Sequence, residues 1–194
     1  MTANDFNQFW TSTYPDTALI PHIFRHRYPD RWFRIHSLPE SKRCAQTPQQ
    51  WAILLERQNA IITDLLGCSS KIMLVTNTYG WQGDSKAGER EIITDYNLTL
   101  LDKIALHQLY PDQYDEGQFI IPAFSEQVWQ PQKFDELLKA IAQDELTAFF
   151  VAKNGDCLIA PYDGGVDLVM KDEATRNKFK HKYSDWLSAR ADGL

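Results

Sequence analysis

The chain has 194 residues, 43% of them hydrophobic, 24% charged and 12% aromatic, with a formal net charge of −6. This composition excludes a disordered polypeptide, and a fold of this length buries roughly 70% of the surface its unfolded chain exposes. Cys44, Cys68 and Cys157 are an odd number at wide spacing without C-x-x-C, which excludes a disulfide framework and a zinc ribbon, and no apolar run approaches the roughly 20 residues that span a bilayer. With a polar start from Met1 to Asn7, a cytoplasmic protein in a reducing compartment is expected.

Phe6, Phe9 and Trp10 recur at i, i+3 and i+4, so a short amphipathic helix is predicted over Asp5 to Thr13. Trp32-Phe33-Arg34-Ile35-His36 has the aromatic and β-branched content of a strand, closed by Leu38-Pro39. The strongest helix signal follows. Thr47-Pro48-Gln49-Gln50 supplies an N-cap, a proline at N1 and a glutamine at N3, and Gly67 stands where a left-handed terminal residue belongs. Burial of Trp51, Leu54, Leu55, Ile62 and Leu65 is expected on its apolar face. Lys71 to Thr76, with four consecutive apolar residues, reads as a buried central strand. Gly80, Gly83 and Gly88 interrupt a polar stretch from Tyr79 to about Arg90, read as a mobile loop. Leu98 to Leu109 is read as helical, and Gln118 to Val128, which contains Pro122, as an edge strand or bulge.

In the last third, Phe134, Leu137, Leu138, Ile141 and Ala142 follow the spacing of one helical face. Asn154-Gly155 predicts a two-residue hairpin between Thr147 to Lys153 and Asp156 to Ala160, because both turn residues accept positive φ. Asp163-Gly164-Gly165 turns the chain into Val166 to Met170, and a last helix aligns Phe179, Tyr183, Trp186 and Leu187. The expected architecture is one α+β domain over residues 1–194 with a mixed, largely antiparallel sheet covered by helices. A helix, three-strand, helix unit is expected at about 132–190, since no regular βαβ alternation is present.

Residues Leu158 to Trp186 carry a Tyr-Asp, a glycine turn, an Asp inside an apolar strand, a charged helix and a closing Lys-Tyr-x-x-Trp. Through Tyr162-Asp163, Gly165, Asp167, Lys182-Tyr183 and Trp186 this segment resembles the domain-of-unknown-function family 3885. It departs at Gly164, where the typical member has an Asp-Arg run, so no role of that arginine transfers. The resemblance implies a bacterial protein of α+β type and supplies no reaction, cofactor or catalytic residue.

Residues 1–60 hold seven Lys and Arg against five Asp and Glu, a balance of +2, which leaves −8 on the remainder. Within the basic third, Arg34, His36 and Arg43 are the candidate ligand-binding residues: arginine forks suit carboxylate or phosphate, Arg34 and His36 share strand parity, and His36 titrates near neutrality. The alternative is a structural ion-pair network of Glu40, Lys42 and Arg43 after Pro39. Asp163 and Asp167 are too few for a cation site, and the five histidines show no ligand spacing, so no metal or cofactor is expected. Trp81, inside a glycine-rich polar stretch, is a candidate partner contact together with Asp163 and Asp167.

No nucleophile-and-base pair, phosphate loop or metal motif is present. The first functional expectation is therefore a non-enzymatic binding protein, immunity- or antitoxin-like, whose acidity suits a basic protein partner. The alternatives are an enzyme or binder acting on a small phosphate- or carboxylate-bearing ligand through Arg34, His36 and Arg43, and nucleic-acid binding by the N-terminal third, which the net charge disfavours.

Overall fold

Among the described residues eight strands pair into one sheet, every pairing is antiparallel, and helices cover both faces, an α+β fold. The structure is a computed structural model and describes residues 1–83, 95–154, 156–190, 192 and 193. The first half of the chain forms α1 (Ala3–Thr13), α2 (Phe24–Arg27), β1 (Trp32–His36), α3 (Pro48–Leu66) and β2 (Lys71–Trp81), with 3-10 turns at Pro21–Ile23 and Pro39–Ser41. Short elements follow, β3 (Thr99–Leu100), β4 (Ile104–Ala105) and α4 (Leu106–Leu109), before β5 (Gln118–Val128) and α5 (Asp135–Ala142). The chain closes with β6 (Thr147–Ala152), β7 (Cys157–Pro161), β8 (Gly165–Met170), α6 (Glu173–Lys182) and a 3-10 turn at Ser184–Trp186. Across the sheet the order is β1-β8-β7-β6-β2-β5-β3, with β4 also on β5.

Strand parity sorts the core into two layers. Ile72, Leu74, Phe150, Ile159 and Leu168 join Ile61 and Ile62 of α3 and Leu137 and Leu138 of α5. Met73, Val75, Phe149, Leu158 and Val169 join Phe6 and Trp10 of α1 and Phe24 of α2. Burial on both faces is why the central strands read as unbroken apolar runs rather than alternating ones.

Helix α3 forms where its caps predict. Thr47 accepts from the Gln50 N–H at 3.3 Å, and Gly67 takes a φ of 78°. The Gln50 side chain does not close the box on Thr47 and instead accepts from the Gln46 N–H at 2.8 Å. Its buried stripe is Leu54, Gln58, Ile61 and Ile62, so the expected burial of Trp51, Leu55 and Leu65 is corrected to half-buried positions on the flank. Leu54→Ala should therefore cost about 2–5 kcal/mol and Leu55→Ala about 1 kcal/mol in denaturant unfolding. Equal losses would place Leu55 in the core.

Three further expectations are corrected. The stretch from Tyr79 does not begin as a loop: β2 continues through Trp81, paired with β5 along its whole length, and Gly88 lies outside the described residues. Gly80 belongs in that strand because a Cβ there would stand 2.7 Å from the ring of Phe119, its cross-strand neighbour. Leu98 to Leu109 yields β3, β4 and only one helical turn, α4. Gln118 to Val128 is an interior strand between β2 and the β3–β4 pair. Pro122 is tolerated there because its carbonyl accepts from the Leu101 N–H at 2.9 Å, so its missing donor also faces the β3 side, away from β2.

The β6–β7 register, Phe150 with Ile159 and Val151 with Leu158, centres the hairpin between 154 and 155, where Asn-Gly was expected; Gly155 itself lies outside the described residues. Between β7 and β8 the Tyr162 N–H donates to the Gly165 carbonyl at 2.9 Å, closing the Asp163-Gly164-Gly165 turn.

Candidate functional site

On the face that carries Met73 and Val75, the apolar surface gives way to polar side chains at one end of the sheet. Register builds the row: Asn77 stands opposite Thr147, and both Ala160 and Arg34 stand opposite Asp167. The Nε and Nη2 of Arg34 donate to the two carboxylate oxygens of Asp167 at 2.6 and 2.8 Å, a bidentate pair whose side chains are only 13% and 7% exposed. The guanidinium also lies 4.5 Å from the centre of the Tyr162 ring. Burial opposes the charge on Arg34, but the Asp167 carboxylate outweighs it and holds the guanidinium above its ordinary pKa. Burial also pushes the Tyr162 phenol up to about 12, against the pull of Arg34.

Arg43, beyond the Pro39–Ser41 turn, reaches the β7–β8 turn and donates to Asp163 through Nε. This replaces the expected network of Glu40, Lys42 and Arg43, because Lys42 donates instead to the side-chain amide oxygens of Gln46 and Gln50. The absence of a side chain at Gly164 makes room for the Tyr162 ring, which a Cβ would approach to 2.9 Å. Arg34, Arg43, Tyr162, Asp163 and Asp167 thus converge on one recess of about 270 Å³ at the strand ends.

Its remaining walls come from elsewhere in the chain. Asp144 follows α5 in the left-handed conformation, φ 57°, with the Glu145 N–H donating to the Ala140 carbonyl at 2.9 Å. That placement brings its carboxyl to the recess, where the side chain has no partner among the described residues. His22 and Tyr79 also line the recess, and Tyr114 links them: its hydroxyl lies 3.1 Å from His22 Nε2 and shares a hydrogen bond with Tyr79. Desolvation, then Arg25, holds the His22 pKa below the usual histidine value, against a hydrogen bond with Gln113. No sequence signal marks Asp144, His22, Tyr79 and Tyr114 as a group, since they come from four separate segments.

Of the predicted ligand-binding trio, Arg34 and Arg43 line the recess and His36 does not. His36 is buried, its carbonyl accepts from Arg57 Nη1 at 3.0 Å, and its Nε2 has no partner among the described residues. Burial, then Arg34 and Arg57, holds its pKa below the usual histidine value. Of the predicted partner contacts, Asp163 and Asp167 line the recess. Trp81 stands two residues beyond Tyr79 on β2; the two side chains share strand parity and are 46% and 44% exposed. Among the described residues, no three His, Cys, Asp or Glu side chains converge as a metal requires, and no helix is long and apolar enough to cross a membrane.

Comparison with curated proteins and with solved structures finds no match. Residues 20–191 match the family described as "Domain of unknown function (DUF3885)", and the chain belongs to that family.

Proposed function

We propose that this member of the DUF3885 family is a non-enzymatic binding module whose recess at Tyr162 receives a basic side chain of a protein partner. The observation that supports this reading is the charge balance of the recess: two arginines face three aspartates, both guanidinia are already bound to carboxylates, and Asp144 is unpaired among the described residues. A cation gains Asp144 and a neighbouring tyrosine, Tyr79, there, whereas an anion must first displace a carboxylate from an arginine. The exposed Tyr79 and Trp81 extend an aromatic surface from the recess for the rest of the partner. An overall charge of −6 speeds the approach of such a basic protein, the behaviour of an immunity- or antitoxin-like protein. An enzyme acting through Arg34, His36 and Arg43 draws less support, because the Arg34 fork is occupied and His36 stands apart.

The test is a titration with a short arginine-rich peptide. It should bind at low salt, Asp144→Asn and Asp163→Asn should each weaken it several-fold, and raising salt from about 0.05 to 0.5 M should slow association more than it speeds dissociation. Equal affinity for a glutamate-rich peptide, or turnover of a phosphorylated substrate that His36→Ala abolishes, overturns the reading.

A further inference from the structure

A second recess, of about 170 Å³, lies between β1, α6 and the tail that follows the Ser184–Trp186 turn, and its charge is opposite to that of the first. Among the described residues it is lined by Arg34, Arg176, Lys180 and Arg190, with Asp192 the one acid. Arg34 is committed to Asp167, which leaves three cationic groups. Arg176 and Lys180 are four residues apart on α6 and therefore share one face of the helix. Arg176 donates through Nε to the Asp30 carbonyl at 3.1 Å, which fixes its stem, and among the described residues its ion-pair partner is its helix neighbour Glu173, at 3.3 Å. The Arg190 fork is bound to Asp192, two residues along the chain, with both side chains exposed. Local exposed pairs of this kind exchange readily for a ligand. The Lys180 ammonium has no side-chain partner among the described residues. Trp32, on the β1 side of the same recess, holds a buried indole N–H that has no partner among the described residues.

We infer that this recess binds the phosphate group of a small phosphate-bearing molecule. Once the local Glu173 and Asp192 pairs exchange, two guanidinium forks and a lysine point charge from two parts of the chain match a dianion with three acceptor oxygens better than a singly charged carboxylate, whereas the buried Arg34–Asp167 pair of the first recess does not exchange in this way. The site is independent of the Tyr162 recess: Arg34 borders both, but its fork faces Asp167, and Arg176, Lys180 and Arg190 do not line the other recess.

The full chain titrated with inorganic phosphate, against sodium chloride at matched ionic strength, should show a saturable rise in melting temperature. Lys180→Ala and Arg190→Ala should each weaken the phosphate affinity about tenfold, the loss of one charge-assisted contact, while Asp163→Asn leaves it unchanged. Glycerol phosphate, titrated in parallel, should bind at least as tightly, because its phosphate group keeps three oxygens for the same contacts. An undiminished phosphate response in the Lys180→Ala, Arg190→Ala double variant, a response that never saturates, or exclusion of the ester while inorganic phosphate binds would each overturn the assignment.

Discussion

Arg34→Met is expected to lower the unfolding free energy by about 3–5 kcal/mol, and Arg34→Met combined with Asp167→Leu to recover most of that loss. Removing the guanidinium alone strands the Asp167 carboxylate, 7% exposed, on the floor of a sheet covered by helices. Removing both partners leaves apolar side chains of similar reach against Ala160 and Tyr162, where burial then works for the fold instead of against it. Urea unfolding of the four proteins in a double-variant cycle reads the coupling directly. A loss below about 1 kcal/mol for Arg34→Met would mean that the pair is solvated and contributes as a surface ion pair does.

Gly165→Ala is expected to be as severe, on the order of 4 kcal/mol or more, for a backbone reason. A Cβ at Gly165 would stand 2.0 Å from the Ile35 carbonyl oxygen and 3.1 Å from the Tyr162 hydroxyl, so β1 itself has to move. The strain falls beside the Ile35–Val166 and His36–Gly165 pairings that hold Arg34 opposite Asp167. Amide exchange should therefore open along β1 before it opens along β2 and β6. Gly164→Ala is the comparison: its Cβ would meet the Tyr162 ring at 2.9 Å, and a ring can turn where a carbonyl cannot, so a loss of about 1 kcal/mol is expected. Comparable losses in the two variants would show that the ring, not the β1 backbone, sets the cost at Gly165.

The split between what was legible and what was not follows the range of the forces involved. Thr47 and Gly67 terminate α3 through their own hydrogen bond and their own φ, Leu137, Leu138 and Ile141 are buried by helical spacing alone, and the hairpin register centres on Asn154-Gly155. Those features depend on residues a few positions apart, and the amino-acid sequence determined them, along with the apolar central strands and the sheet-and-helix class. Its glycine and proline signals misled where a distant partner changed their meaning. Gly80 extends β2 because Phe119 occupies the space a side chain would need, and Pro122 sits inside the sheet because β3 and β4 leave its donor side unclaimed. The site lies at the far end of that scale. Arg34 and Asp167 are 133 positions apart and Arg43 and Asp163 are 120, so nothing local announces either pair. Only the sheet order, which sets β1 beside β8, decided that these arginines meet carboxylates rather than a free anion. Because the chain's charges act through space and its periodicities act along the backbone, the secondary structure could be read one segment at a time, while the chemistry of the recess awaited the register.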